Sequence, residues 1–495
     1  LTCYSVRELW DSLIANPGNM VQAPQPIVII LDAFDECGAK GDSGPREILL
    51  SLLMNSAYKL PKNFRVLVTS RLESNVQEYL DGCSSHQKLY IQYMSKLEGT
   101  EADIHRYVVH RMMKRSGGLG FLDEDQCKTL ADNATGYFQW AHTVCEALRG
   151  HDKAGLTVKA RFKRFMSLAR DDRDLMPLDK LYKSILEDTF DCRDPQAILQ
   201  YKLVMAQILA ACEPLSIQSL KRIQSARSDG EEYDEEGLNA VIPFLGSLFT
   251  GVNNVNTPIR PVHTSVRDFL LNEERSTEHA VDLYQGHETL AIGTLNLMIS
   301  DLHFNICNFE SSYVFNSEVK NLSEKISQNI APELSYACLF WDSHILHIHS
   351  NVSLPLVEKF INKSLLFWVE VLAILGRVNG ITNVATNVSN WIKSSMVSGP
   401  HIGKLLMHVN DILKELVSFI RVFGKMITES TPHLYLSGLP FIPEGSSLQK
   451  FRIPFKKLAI VCQGLSSHWP YQQTVIYGHT EQVTSVAFSP DGKRI

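Results

Sequence analysis

Pro26-Ile27-Val28-Ile29-Ile30-Leu31-Asp32-Ala33-Phe34-Asp35-Glu36 decides the fold of this 495-residue chain. The β-branched and Leu run from Ile27 to Leu31 predicts a strand buried on both faces, the habit of a parallel sheet covered by helices. Ligands of such sheets bind beyond the carboxyl ends of the strands, which is where Asp32, Asp35 and Glu36 fall. Carboxylates in that position suit a metal-bound nucleotide.

A second run of the same kind, Phe64-Arg65-Val66-Leu67-Val68-Thr69-Ser70-Arg71, follows a segment from Glu47 to Tyr58 in which Ile48, Leu49, Leu52 and Leu53 recur at helical spacing. This predicts a β-α-β unit. A right-handed crossover places Thr69, Ser70 and Arg71 on the same sheet edge as Asp32. That edge then carries acid for Mg²⁺ and a guanidinium for a phosphate.

The totals restrict the classes of function. An apolar content of 44%, a charged content of 21% and a net charge of −6 describe an ordinary globular chain without a basic face for nucleic acid. The longest apolar run, Leu365 to Leu375, is interrupted by Glu370 and is too short to span a membrane. Cys3, Cys37, Cys83, Cys127, Cys145, Cys192, Cys212, Cys307, Cys338 and Cys462 form no CxxC or zinc spacing, so reduced, buried thiols in a cytoplasmic protein are expected. The chain begins at Leu1 without a signal peptide, and a fragment is expected.

Beyond residue 95, where a further strand at Lys88 to Tyr93 would end the α/β part, the pattern turns helical to residue 212. Ile104, Val108 and Met112 share one face, and Ala131 to Leu148 and Leu178 to Phe190 read as helices. Residues 213–275 mix short helices with strand-like pieces at Ile242 to Gly251 and Ile259 to Val262, which suits a winged helix. Asp229 to Glu236 within it reads as a solvated acidic loop. A helical array of no named repeat is expected over 276–430, a Pro/Gly-rich linker over 431–477, and one strand with its turn over 478–495.

Several segments resemble the fungal proteins in which a NACHT module, a STAND-class P-loop ATPase, precedes WD repeats. Ile30 to Gly38 is similar to their Walker B motif and Val66 to Arg71 to sensor 1. Ala134 to Ala141 resembles the helix written GLFIWA, Leu178 to Tyr182 the LDxLY motif, and Leu334 to Trp341 a piece of basidiomycete members. Glu213 to Ser216 and Ile259 to Leu270 resemble the two ends of the winged-helix region, and Gly478 to Lys493 the opening of a WD repeat. The fold implied is mixed α/β and α: a partial P-loop NTPase sheet, helical and winged-helix regions, a helical array and the start of a β-propeller.

The resemblance implies roles for particular residues. Asp32 would hold Mg²⁺ through water, and Asp35 or Glu36 would orient or deprotonate the attacking water. Thr69, Ser70 and Arg71 would lie at the nucleotide, with Arg71 as γ-phosphate contact, and His263 would touch the diphosphate of ADP in a closed state. The bland readings beside these are helix-capping acids, a surface arginine and a turn histidine. A helicase reading of Asp35-Glu36-Cys37 lacks a second motif set, and Lys221, Arg222 and Arg227 are too few for a DNA-reading helix.

A phosphate loop of the form GxxxxGK(S/T) does not occur in the chain. The nearest string, Ser398 to Leu405, lacks the first glycine and the hydroxyl. Weak or absent ATP binding is therefore expected of these residues alone, and hydrolysis only of an intact protein. The implied function is an ATP/ADP switch coupling ligand sensing by WD repeats to homo-oligomerisation, in fungal non-self recognition or cell death. The alternative is a protein-interaction scaffold with a degenerate NTPase.

Overall fold

The computed structural model describes residues 9–21, 25–37, 43–56, 60–71, 90–92, 99–113, 122–149, 157–168, 176–190, 192–227, 236–348, 353–394, 400–455 and 457–470. The chain divides into two units, Leu1–Leu97 with Thr474–Ile495, and Glu98–Gln473.

In the first unit, β1 (Ile27–Leu31) and β2 (Phe64–Val68) are parallel neighbours, Ile27 opposite Phe64 and Leu31 opposite Val68, with α1 (Ser43–Ser56) between them in sequence. Side chains alternate across a strand, and Ile29, Phe64 and Val66 pack with Trp10, Ala15, Leu52 and Leu60. The other face is open: Val28, Ile30 and Leu67 are 53%, 63% and 52% exposed. This corrects the expectation of a strand buried on both faces, because the described apolar cluster covers only one side. Tyr90–Gln92, the described part of the strand expected at Lys88 to Tyr93, is not in a strand, and Tyr90 projects into solvent.

The second unit is helical. Its first part holds α2 (Thr100–Met112), α3 (Glu124–Asn133), α4 (Phe138–Arg149), α5 (Val158–Leu168), α6 (Pro177–Thr189) and α7 (Pro195–Ala210). On α2, Ile104, Val108 and Met112 are all buried, as their spacing required. The helix expected from Ala131 to Leu148 is instead broken, because Thr135 and Gly136 take the left-handed conformation at φ 46° and 83°. A glycine there permits the turn that ends α3.

The middle part comprises α8 (Ile217–Arg227), α9 (Glu236–Val241), the two-residue strands β3 (Phe249–Thr250) and β4 (Arg260–Pro261), α10 (Thr264–Leu270) and α11 (Glu273–Ser276). The strands are antiparallel. Strand structure over Ile242 to Gly251 is confined to β3, since Ile242–Leu245 forms a 3-10 turn. The acidic stretch expected as a loop lies, but for Glu236, outside the described residues, as does the WD-like stretch Gly478 to Lys493. No closed sheet or propeller is present among the described residues.

The remainder is α12 (Leu283–Asp301), α13 (Leu322–Asn329), α14 (Pro332–Ile345), α15 (Ser353–Ile374), α16 (Ile381–Ser394) and α17 (Pro400–Glu429). Gly403 and Lys404 fall inside α17, away from any strand-to-helix loop. α12 buries most of its surface against α7, α8, α14 and α15, leaving a narrow face with Gln285, Glu288, Asn296 and Ser300 less covered. Two glycines one heptad apart make this possible: a Cβ on Gly286 would stand 2.1 Å from the Ala206 carbonyl oxygen, and one on Gly293 2.5 Å from that of Ile223. The Pro/Gly-rich stretch after α17 is itself folded, with Leu434, Tyr435, Leu439, Ile442, Leu448 and Phe451 buried.

Glu370 and the His287–His344 pair are among the polar groups sealed in this core. Glu370, 3% exposed, accepts from the N–H groups of Asn305 and Ile306 and from the Tyr435 hydroxyl at 3.3, 3.1 and 2.5 Å. Burial raises its pKa against those bonds. His344 lies between the Tyr336 hydroxyl, 2.7 Å from Nε2, and His287, whose Nδ1 is 3.0 Å from its own Nδ1. Burial, aided by neighbouring histidines, pushes His287 down to about 4 and His344 to about 3. Of the described cysteines, Cys127, Cys145, Cys307 and Cys338 are buried, whereas Cys192, Cys212 and Cys462 are exposed, contrary to the expectation.

No helix among the described residues is long and apolar enough to cross a membrane.

Candidate functional site

The chain leaves β1 at Asp32 and turns at once. Ala33 adopts the left-handed conformation (φ 50°, ψ 49°), and Phe34–Glu36 forms one 3-10 turn. A non-glycine residue in that region costs about 1–2 kcal/mol, so something must hold it. The hold comes from the end of β2. The Ala33 N–H donates to Thr69 Oγ1 at 2.8 Å, and the Phe34 N–H to the Thr69 carbonyl at 2.9 Å. The buried Phe34 ring, packed on Leu50, anchors the turn from below.

The same contacts aim the acids. Thr69 Oγ1 donates to Asp32 Oδ1 at 2.5 Å while accepting from Ala33, so one hydroxyl fixes both the turn and the first carboxylate. Asp35 Oδ1 accepts the Arg71 N–H at 3.0 Å, and Asp35 Oδ2 lies 3.4 Å from Arg71 Nε. The Asp35 side chain is 8% exposed and that of Arg71 45%. An ion pair with one partner so exposed contributes little to stability, about 0–1 kcal/mol. Ser70 Oγ donates to the Arg71 carbonyl at 2.9 Å.

Asp32, Asp35, Thr69, Ser70 and Arg71 are thus brought together at the carboxyl ends of two parallel strands. The side chain of Glu36 lies outside the described residues. Arg71 is engaged by Asp35, so a phosphate reaching Arg71 has a carboxylate to displace. Asp32, exposed at the sheet edge, could hold a cation. Among the described residues no group of three or more His, Cys, Asp or Glu is placed around one point to bind a metal. That donor set fits Mg²⁺ better than a metal needing a full protein cage, because Mg²⁺ keeps waters and takes phosphate oxygens.

His263 belongs to the second unit, where it is the N-cap of α10. Its Nδ1 accepts the Ser265 N–H at 3.1 Å and lies 2.6 Å from Ser265 Oγ. Ser265 Oγ is in turn 2.9 Å from the hydroxyl of Tyr182, which is fully buried on α6 against Phe269. One turn earlier on α6, Asp179 takes a two-pronged ion pair from Arg275 of α11, Nε to Oδ2 at 2.8 Å and Nη2 to Oδ1 at 2.6 Å. Sequence reasoning used these segments only as marks of resemblance and did not foresee that their polar side chains meet. The signal available was a buried-spaced Asp and Tyr at i and i+3 on one helix.

A cavity of about 600 Å³ lies between Glu213, Ser216 and Ser219 on one side and Pro332, Glu333 and Tyr336 of α14 on the other.

Residues 3–71 match the family described as Nephrocystin 3, N-terminal. Along 99% of its length the chain is similar to the vegetative incompatibility protein HET-E-1 of Podospora anserina, at 23% identity over 525 residues. It spans 35% of that relative's length. No solved structure matches.

Proposed function

We propose that the chain is the switch portion of a NACHT-type signalling ATPase, in which exchange of ADP for ATP releases the nucleotide-binding, winged-helix and helical parts for homo-oligomerisation. The observation that carries this is the convergence of Asp32, Asp35, Thr69 and Arg71 at the carboxyl edge of a parallel strand pair. In this reading Asp32 takes Mg²⁺ through water, and Thr69 holds its carboxylate in place. Asp35 or Glu36 orients the attacking water. Arg71 leaves Asp35 for the γ-phosphate, so the ion pair reports whether that phosphate is present. Bound Mg²⁺ would neutralise phosphate charge. His263, capping α10, is the contact that favours the diphosphate.

The two-residue hairpin beside α8, α9 and α10 supports a winged-helix assignment of residues 213–275. The similarity to HET-E-1, a vegetative incompatibility protein, supports a role in fungal non-self recognition; in the same reading the protein acts in the cytoplasm and takes protein ligands through WD repeats. The test is Asp32→Ala in the full-length protein. Nucleotide-dependent assembly, followed by light scattering, disappears if the chain is a switch and is unchanged if it is a scaffold with a degenerate NTPase. Asp35 and Arg71 satisfying one another is the observation that favours the scaffold. Calorimetry on residues 1–495 should give weak or no ATP binding, and micromolar affinity would show that the expected phosphate loop is dispensable.

A further inference from the structure

Tyr182 and Ser265 have no part in the nucleotide chemistry above, yet they form a hydrogen-bonded line that reaches His263. We propose that Tyr182 and Ser265 are positioning residues for His263, holding its ring with Nδ1 turned inward as acceptor and Nε2 as the nitrogen that bears the proton. The inference deepens the reading of His263 as the diphosphate contact, and it rests on that reading for its meaning but not for its geometry.

The direction of the line follows from the donors. The Ser265 N–H can only donate, and it points at Nδ1 from 3.1 Å. In a neutral imidazole the nitrogen that accepts leaves the other to carry hydrogen. Ser265 Oγ, 2.6 Å from the same Nδ1, joins as a second donor when its hydrogen turns to the ring. The Tyr182 hydroxyl, 2.9 Å away, then donates to Ser265 Oγ and leaves that hydrogen no better direction. Each bond polarises the next, along a line that runs from the buried Tyr182 out to the exposed His263.

The line has a rigid origin. Tyr182 is fully buried, and its ring is fixed by Phe269, with centroids 5.6 Å apart. Asp179, 2% exposed, holds Arg275 on the far side of α10. α6 therefore grips α10 at its cap and again just past its end. Movement of α6 relative to α10 must shift or break the Tyr182–Ser265 bond, so a second helix bears on how firmly the His263 ring is held.

The test is nitrogen-15 NMR of histidine-labelled protein, with the His263 signals assigned by their loss in His263→Ala. In the unmodified chain Nδ1 is expected to resonate as the unprotonated and Nε2 as the protonated nitrogen. In Tyr182→Phe, which keeps the buried ring, and in Ser265→Ala the two resonances should move toward each other, while Ser265→Thr, which keeps the hydroxyl, restores them. Unmoved resonances in both Tyr182→Phe and Ser265→Ala would overturn the proposal. In the full-length protein, release of ADP should quicken about tenfold in Tyr182→Phe and in His263→Ala, with no further gain in the double variant. If His263→Ala leaves ADP release unchanged, the diphosphate reading of His263 fails, and the nitrogen signals still decide the positioning role by themselves.

Discussion

Asp32 and His263 occupy the same kind of place, between the end of a strand and the first turn of a helix, yet the groups behind their first contacts differ. At the end of β1 the holding groups are exposed: one threonine hydroxyl, one backbone carbonyl and an arginine that is 45% open to solvent. At the start of α10 the bonds to His263 itself are also exposed, but Ser265, which makes them, is backed by a fully buried tyrosine. Exposed bonds net only about 0.5–1.5 kcal/mol each and can exchange for ligand or water. Buried ones cannot be given up without leaving unsatisfied groups. The strand-end site is thus built to rearrange locally, whereas behind the α10 cap Tyr182 moves only with the helix that carries it.

The sharpest way to break this contrast is to remove the rigidity of the core. Gly286→Val should destabilise the helical unit by about 3 kcal/mol or more, because its side chain would enter the space of the Ala206 carbonyl. Chemical denaturation should show an early transition of the helical signal. Acid acts on the same body. Because His287 and His344 have pKa values lowered to about 4 and about 3, the unfolded chain binds more protons below about pH 6.5, and stability falls as pH drops from there toward 4. The slope should approach 1.4 kcal/mol per pH unit for each histidine, with roughly half removed in His287→Phe. Urea midpoints from pH 7 to 5 measure it.

Smaller effects are expected at the strand ends. Thr69→Val removes the hydroxyl that joins Ala33 to Asp32 and should cost about 1 kcal/mol, read as faster hydrogen exchange at Ala33, with no change in the helical unit. Ala33→Gly relieves the left-handed backbone and should stabilise the turn by about 0.5 kcal/mol. If it instead loosens the Asp32 and Asp35 contacts, the strained alanine is itself part of the site's order.

The parts of the fold legible in the sequence were those written in neighbouring residues. The runs Ile27 to Leu31 and Phe64 to Val68 announced two parallel strands, and their common direction and register put Thr69 beside Asp32. Ile104, Val108 and Met112 announced the buried face of α2. What stayed hidden depends on distant partners. Whether Val28 and Ile30 are covered is not a property of β1, and the conformation of Ala33 is imposed by a strand more than thirty residues away. Ala131 to Leu148 carried helical periodicity across a break set by Thr135 and Gly136. Tyr182 meets Ser265 across 83 residues, a pairing that no spacing rule reports.

The glycine pair of α12 has a mechanical meaning. Gly286 and Gly293 are notches into which the carbonyls of Ala206 and Ile223 fit, two turns apart on one face. If α12 slid by a single residue, Gln285 or His287 would meet the first carbonyl and Ile292 or Thr294 the second, and neither notch could accept a side chain. The helix is therefore keyed to α7 and α8 like a shaft in a slot. Force arriving at one end of the body is passed on as a tilt of the three helices together, with no slippage between them.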